Sequence, residues 1–133
     1  MAKFIALAAL TWWSLAVSAM ADPVGSYNVV GKNSQDGSEY HGSVTVARTG
    51  ETYKVIWNIA GTKFDGVGIG AAIRDGSYLA GASDQNHTSL LVGYTSGGDY
   101  GPAFYVKQDD GSWRGVWSHN GSGRVSTENW FPK

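Results

Sequence analysis

Three histidines and a set of carboxylates are the side chains of this 133-residue sequence with the types needed for acid–base or metal chemistry. His41, His87 and His119 do not form a pair with the i, i+2 or H-E-x-x-H spacing of a zinc site. The G-x-S-x-G motif that presents a nucleophilic serine is missing, although a triad can assemble from distant residues. We therefore expect surface histidines, no metal, no cofactor and no enzymatic activity.

Most of the acidic side chains lie where turn chemistry explains them. Asp36 and Asp75 each precede Gly-Ser, and Asp-Gly pairs tolerate the positive φ of hairpin turns. Asp109-Asp110 resembles the start of a calcium loop, but the residues that follow it lack the spaced oxygens of such a loop. Asp65 and Glu128 are different, because both lie within predicted strands.

Glu128 shares a predicted strand face with Arg124 and Trp130. A buried carboxylate at this position would need a partner, and Arg114 or Arg124 could supply it. The alternative is a solvated ion pair on the outer surface, which is the interpretation we favour from the sequence.

Aromatic side chains are the most informative candidates for binding. Glycines on the same predicted faces either seat the rings in a packed core or leave an aromatic-lined pocket, and we favour the packed core. Six aromatic residues are predicted to face inward: Tyr40, Tyr53, Trp57, Trp113, Trp117 and Trp130. If there is a pocket, its predicted ligand-binding residues are Tyr53, Trp57, Trp113 and Trp117.

The elements that carry these side chains are predicted from a side-chain period of two. In the clearest run, Tyr53, Val55, Trp57 and Ile59 share one face, as expected for a strand with one buried face. The predicted strands are Gly25–Gly31, Glu39–Arg48, Tyr53–Ile59, Lys63 to about Ile73, Tyr78–Ala82, Ser89–Tyr94, Pro102–Gln108, Trp113–His119 and Gly123–Phe131.

The fourth predicted strand changes phase. Phe64 is even-numbered, whereas Val67, Ile69 and Ile73 are odd-numbered. A β-bulge near Gly66 would switch the phase, and glycine permits such a bulge.

Repeated short turns and the lack of helical periodicity after residue 21 predict an all-β protein. Consecutive hairpins without a long crossover favour an antiparallel up-and-down meander barrel over a sandwich. Closure would also remove exposed strand edges. We predict about eight strands in a lipocalin-like or calycin-like architecture.

The first residues predict export. Met1–Ala21 combines the basic residue Lys3, a short apolar run and an Ala-x-Ala exit, the features of a cleaved secretory signal peptide. The mature chain, 22–133, would be a single domain located in the periplasm or secreted. The sequence has no cysteine. Without Lys3, nine of the ten basic side chains remain in the mature chain against eleven acidic ones, which argues against a nucleic-acid partner.

Two stretches of the chain resemble a family of small exported bacterial proteins, many of them alphaproteobacterial, that carry the label "fibronectin-binding protein". The first is Tyr40-x-Gly42-x-Val44-x-Val46, followed by the glycine and aromatic pattern from Gly50 to Ile69; the second is Asp110-Gly111-Ser112-Trp113-x-Gly115-x-Trp117. The resemblance implies a barrel and a host-matrix partner, and it carries over no catalytic residue.

Three functional hypotheses follow from the sequence. The first is an exported, non-catalytic barrel that binds a small apolar or aromatic ligand or a protein surface. The second is an adhesin-like interaction protein that acts through loops such as Ser83–Thr88 and Ser96–Asp99. The third is a small outer-membrane barrel, against which the shortness of runs such as Tyr78–Ala82 argues. No stable membrane span is expected in the mature chain, and the sequence predicts no oligomeric state.

Overall fold

The computed structural model describes residues 21–133, so the predicted signal peptide lies outside the described residues, apart from Ala21. No helix in the described part of the chain has the length and apolar character needed to cross a bilayer. Residues 21–133 form nine strands: β1 Gly25–Lys32, β2 Glu39–Thr49, β3 Thr52–Ile59, β4 Thr62–Arg74, β5 Ser77–Gly81, β6 Ser89–Ser96, β7 Asp99–Lys107, β8 Trp113–Trp117 and β9 Ser126–Pro132.

Eight of these strands close into an antiparallel barrel. Neighbours along the chain pair from β1 to β4 and from β6 to β9; β4 pairs with β6, and β9 returns to pair with β1. β5 pairs only with the end of β4, Gly70–Arg74, through a two-residue turn in which Asp75 and Gly76 have φ of 51° and 77°. The predicted all-β meander barrel is confirmed, with β5 as an extra strand outside the ring.

The predicted bulge in β4 is wrong. The β3–β4 register continues without a slip, with Trp57 opposite Phe64, Val55 opposite Gly66 and Tyr53 opposite Gly68. The even-numbered residues of β4 from Phe64 to Ala72 therefore face inward. The odd-numbered residues face solvent, with Val67 64%, Ile69 49% and Ile73 56% exposed.

The space beside the inward glycines of β4 is filled by neighbouring side chains. The strand can therefore keep its glycines inward without a change of phase. A Cβ added to Gly66 would lie 2.6 Å from Val92 Cγ1 and 2.9 Å from Trp57 Cζ3. A Cβ on Gly70 would lie 2.1 Å from the imidazole Nδ1 of His87. At these positions the glycines seat rings, as the packed-core interpretation predicts.

The two ends of the barrel differ. Antiparallel order places the β1–β2, β3–β4, β6–β7 and β8–β9 connections at one end and the β2–β3, β5–β6 and β7–β8 connections at the other. The second end is closed by the β5–β6 loop, where Tyr53 Oη lies 2.8 Å from His87 Nδ1 and accepts a hydrogen bond from the Asp84 amide at 2.9 Å. Asp22 N donates to Gln85 O across the same end.

The outer surface has an apolar sector that spans β4, β6, β7 and β8. Ile69, Leu91, Phe104 and Val116 are cross-strand neighbours on β4, β6, β7 and β8, and each is more than 40% exposed. The outward positions of β1 and β2 are mainly polar, for example Asn28, with Lys32, Glu39, His41 and Thr45.

Candidate ligand-binding site

A cavity of about 280 Å³ lies inside the barrel at the end that carries the β1–β2 loop. Its wall is formed mainly by aromatic rings, with one carboxylate and two small polar residues. The lining residues are Asn33, Ser38, Tyr40, Trp57, Ile59, Phe64, Tyr94, Trp117 and Glu128.

The carboxylate of Glu128 accepts hydrogen bonds from four aromatic side chains. Tyr40 Oη donates to Oε1 at 2.8 Å. Oε2 accepts three hydrogen bonds, from Trp57 Nε1 at 3.0 Å, from Trp130 Nε1 at 2.7 Å and from the phenol of Tyr105. Because an indole nitrogen can only donate, Oε2 acts as the acceptor toward both tryptophans.

The favoured interpretation of Glu128, a solvated ion pair, is wrong, and the alternative of a buried carboxylate is correct about burial but wrong about the arginine partner. The residue is only 5% exposed, so it is not part of a solvated surface pair. Its partners are phenols and indoles, and it forms no ion pair with Arg114, Arg124 or any other described residue. The buried charge is stabilised by neutral hydrogen-bond donors, as burial of a carboxylate requires.

Burial and the nearby charge of Glu128 act together on the two phenols. Burial is the larger cause and the carboxylate the second; together they raise the pKa of Tyr40 and of Tyr105 well above the ordinary value for tyrosine. Both phenols therefore keep their protons at physiological pH and remain donors to Glu128.

The sheet register explains how two distant tyrosines reach one carboxylate. On β9, Glu128 lies directly between Gly31 of β1 and Gly115 of β8. Tyr40 of β2 is opposite Gly31, and Tyr105 of β7 is opposite Gly115. A Cβ would lie 2.0 Å from Tyr40 Cζ if added to Gly31 and 2.1 Å from Tyr105 Cδ1 if added to Gly115, so each phenol crosses a glycine to reach Glu128.

The polar groups of the aromatic wall are engaged with protein partners. Trp117 Nε1 donates to Tyr40 Oη at 2.8 Å, and Tyr94 Oη donates to the carbonyl oxygen of Ser118 at 2.6 Å. Trp57 Nε1 and Tyr40 Oη are bound to Glu128. The donors of these rings are thus used within the protein, and the wall presents ring surface to a ligand.

The four predicted binding residues divide between the two ends of the barrel. Trp57 and Trp117 line the cavity. Tyr53 and Trp113 are 0% exposed and do not line it, because Tyr53 packs at the closed end with His87 and Trp113 lies opposite Trp130 and Lys107. Trp113 Nε1 is buried without a hydrogen-bond partner among residues 21–133.

Sequence reasoning singled out Glu128 but did not place it in the wall, and it missed the aromatic members Phe64 and Tyr94. Phe64 and Tyr94 occupy inward positions of β4 and β6, and Tyr94 was predicted only as part of a strand. Glu128 stands between Ser126 and Trp130 on the inward face of β9. The alternation around Trp130 is the one signal in the sequence that could have placed Glu128 inside.

The histidines do not all lie on the surface. His41 is exposed and lies 2.8 Å from Glu39, in agreement with the prediction. His87 is only 4% exposed, so the prediction is wrong for this residue. No group of three or more metal-binding side chains occurs between residues 21 and 133.

Comparison of the chain with models of known protein families and with curated protein sequences finds no match.

Proposed function

We propose that this protein is a non-catalytic binding protein that holds a small, largely apolar molecule in the aromatic cavity. The observation that carries the proposal is the contrast between the two ends of one barrel. One end is packed and closed by the β5–β6 loop, whereas the other contains a cavity of about 280 Å³ with five aromatic rings in its wall. Small barrels of this strand number either fill their interior or hold one small ligand.

The size and lining of the cavity limit the ligand. Its volume of about 280 Å³ is just below the usual range for ligand pockets, roughly 300–1,000 Å³, so we expect a molecule of about a dozen non-hydrogen atoms. A neutral aromatic fragment of that size should bind with a Kd of about 1 mM or tighter. The proposed location is the periplasm or the extracellular space, on the basis of the signal-peptide pattern in Met1–Ala21.

The NMR signals of the tryptophan indoles test the proposal, because they show which part of the barrel the probe contacts. The neutral probe 2-phenylethanol is titrated into the ¹⁵N-labelled protein, and the indole ¹H–¹⁵N signals are followed. We expect the signals of Trp57 and Trp117 to shift, because both rings line the cavity. The signal of Trp113, buried at the other end, should stay in place. Equal shifts of all three signals would contradict the proposal.

A matched pair of substitutions checks that the probe binds inside the barrel. Ile59→Trp adds an indole to the cavity wall, whereas Ile69→Trp adds the same ring to the outer surface. Calorimetric titration with 2-phenylethanol should show at least tenfold weaker binding for the first variant and wild-type binding for the second. Similar affinities for the two variants would place the probe outside the cavity.

The adhesin-like alternative, with the fibronectin partner that the sequence resemblance implies, is a separate proposal. Ser83–Thr88 belongs to the closed end and Ser96–Asp99 to the end with the cavity, so the two loops do not form one surface. This alternative predicts binding of fibronectin that survives Ile59→Trp and is lost on replacement of one of these loops.

The outer-membrane alternative finds little support in the outer surface. Spanning strands present apolar side chains to lipid around the whole barrel. Here the outward residues of β1 and β2 include Asn28, Lys32, Glu39 and Thr45. We propose a mature protein that is released from cells without detergent.

A further inference from the structure

We propose that the ligand of the cavity is a small organic cation, with an ammonium group placed against the carboxylate of Glu128 and an apolar body between the aromatic rings. This inference rests on the proposed binding function and names the chemical class of the ligand.

The charge of Glu128 is the first reason. The carboxylate is 95% buried and is held by four neutral donors, with no cationic side chain bound to it among the described residues. Opposite charges interact more strongly where water is excluded than at an exposed surface. A ligand cation would therefore gain more from this carboxylate than a neutral ligand would, and an anion would be repelled.

The unused hydrogen-bonding capacity of Glu128 is the second reason. Oε2 already accepts three hydrogen bonds, whereas Oε1 accepts one, from Tyr40. A carboxylate offers about four acceptor sites over its two oxygens, and Glu128 belongs to the cavity wall. Oε1 can therefore accept a further hydrogen bond from a ligand that donates one.

The nature of the wall is the third reason. The indole and phenol donors of Trp57, Tyr40, Trp117 and Tyr94 are bound to protein acceptors, so they are not free to recognise an acceptor on the ligand. Their ring faces carry the negative side of the aromatic quadrupole, which attracts cations. An aromatic wall with one buried carboxylate thus selects positive charge.

A set of probes of similar size tests this selectivity in the full-length protein. The probes are 2-phenylethylamine, which is protonated at neutral pH, neutral 2-phenylethanol, anionic phenylacetate and benzyltrimethylammonium, a cation that has no N–H donor. We expect 2-phenylethylamine to bind at least tenfold more tightly than 2-phenylethanol, and phenylacetate not to bind. Benzyltrimethylammonium should lie between the amine and the alcohol, because it keeps the charge but cannot donate to Oε1.

The substitution Glu128→Gln tests the residue itself. It should reduce the preference for 2-phenylethylamine over 2-phenylethanol to less than threefold, while binding of the alcohol persists. Retention of a tenfold preference in a folded Glu128→Gln protein would overturn the assignment of Glu128. The amide nitrogen of glutamine replaces one of the two acceptor oxygens and so faces at least one of the four donors. This variant can therefore fail to fold, and the wild-type probe series decides the inference without it.

The outcomes separate the inference from the function on which it rests. If the alcohol and the amine bind equally to the cavity, or if phenylacetate binds best, the cation inference is wrong and the binding function stands. If none of the four probes binds at 10 mM, the binding function is wrong, and the cation inference with it.

Discussion

Glu128 shows how a charged residue can be buried in a small barrel without an ionic partner. Each donor around it lies on a different part of the sheet: Tyr40 on β2, Trp57 on β3, Tyr105 on β7 and Trp130 on β9. Loss of one donor leaves the others in place, whereas loss of the carboxylate would leave all four donors without an acceptor, at about 1–3 kcal/mol for each buried group. The cluster therefore links strands that are not neighbours in the sheet.

His87 is a second buried polar residue, and it should make stability depend on pH. Burial is the largest influence on its imidazole and lowers the pKa. The carboxylates of Asp84 and Asp22 raise this pKa, whereas the positive charge of Arg48 lowers it further, and the net result is a lowered pKa. Tyr53 lies against Nδ1. The unfolded chain, with an ordinary histidine pKa near 6.5, thus binds a proton at a higher pH than the folded chain does. The stabilisation is complete above pH 6.5 and is lost as the pH falls through the folded-state pKa.

Urea unfolding at pH 7.5 and pH 5.0 measures this dependence. The free energy of unfolding of the wild-type protein should decrease on acidification, and the decrease should be smaller in His87→Gln. His41→Gln, a change at an exposed histidine, should keep the wild-type dependence. The account of His87 fails if both variants show the same slope as the wild type.

Among the strands, β4 shows the clearest difference between the facing of residues predicted from the sequence and the facing observed in the structure. The sequence correctly predicted a strand there but also a phase switch near Gly66, because Phe64 is even-numbered and the apolar residues Val67 and Ile69 are odd-numbered. In the barrel the space opposite the even-numbered glycines is filled by side chains from β3, β6 and the β5–β6 loop. Local periodicity cannot reveal this, since it depends on which strands are neighbours.

The glycines of the β4–β5 hairpin give a matched test of this packing. Gly70 and Gly81 are cross-strand partners, but only Gly70 faces another side chain, the imidazole of His87. Gly70→Ala should lower the free energy of unfolding by about 2 kcal/mol or more, because a buried ring must move. Gly81→Ala should change it by less than about 0.5 kcal/mol. Equal effects in urea unfolding would show that the imidazole does not occupy this space.

The site shows the same limit of sequence reasoning. Alternation placed Trp57 inward correctly, and Trp57 lines the cavity. It also placed Trp113 inward correctly, yet Trp113 lies in the packed part of the barrel. The register between strands decides how deep along the barrel axis a residue lies. The register of five strands also brings one row of residues together: Tyr40, Gly31, Glu128, Gly115 and Tyr105. Register between strands is not encoded in the period of any one of them.

The whole molecule combines a closed ring of eight strands with two unlike ends. Closure leaves no free edge among the barrel strands. The packed end stabilises the fold through contacts of Tyr53 and His87 with the β5–β6 loop. The other end contains the cavity with its buried carboxylate. The division of stability and binding between the two ends is the basis of the proposed function.

A crystal structure of the protein soaked in 2-phenylethylamine tests the central claim most directly. We expect electron density for the probe between Trp57, Phe64 and Trp117, with its nitrogen about 3 Å from Glu128 Oε1. A cavity that contains only solvent at saturating probe, or a probe bound only on the outer surface, would contradict the claim.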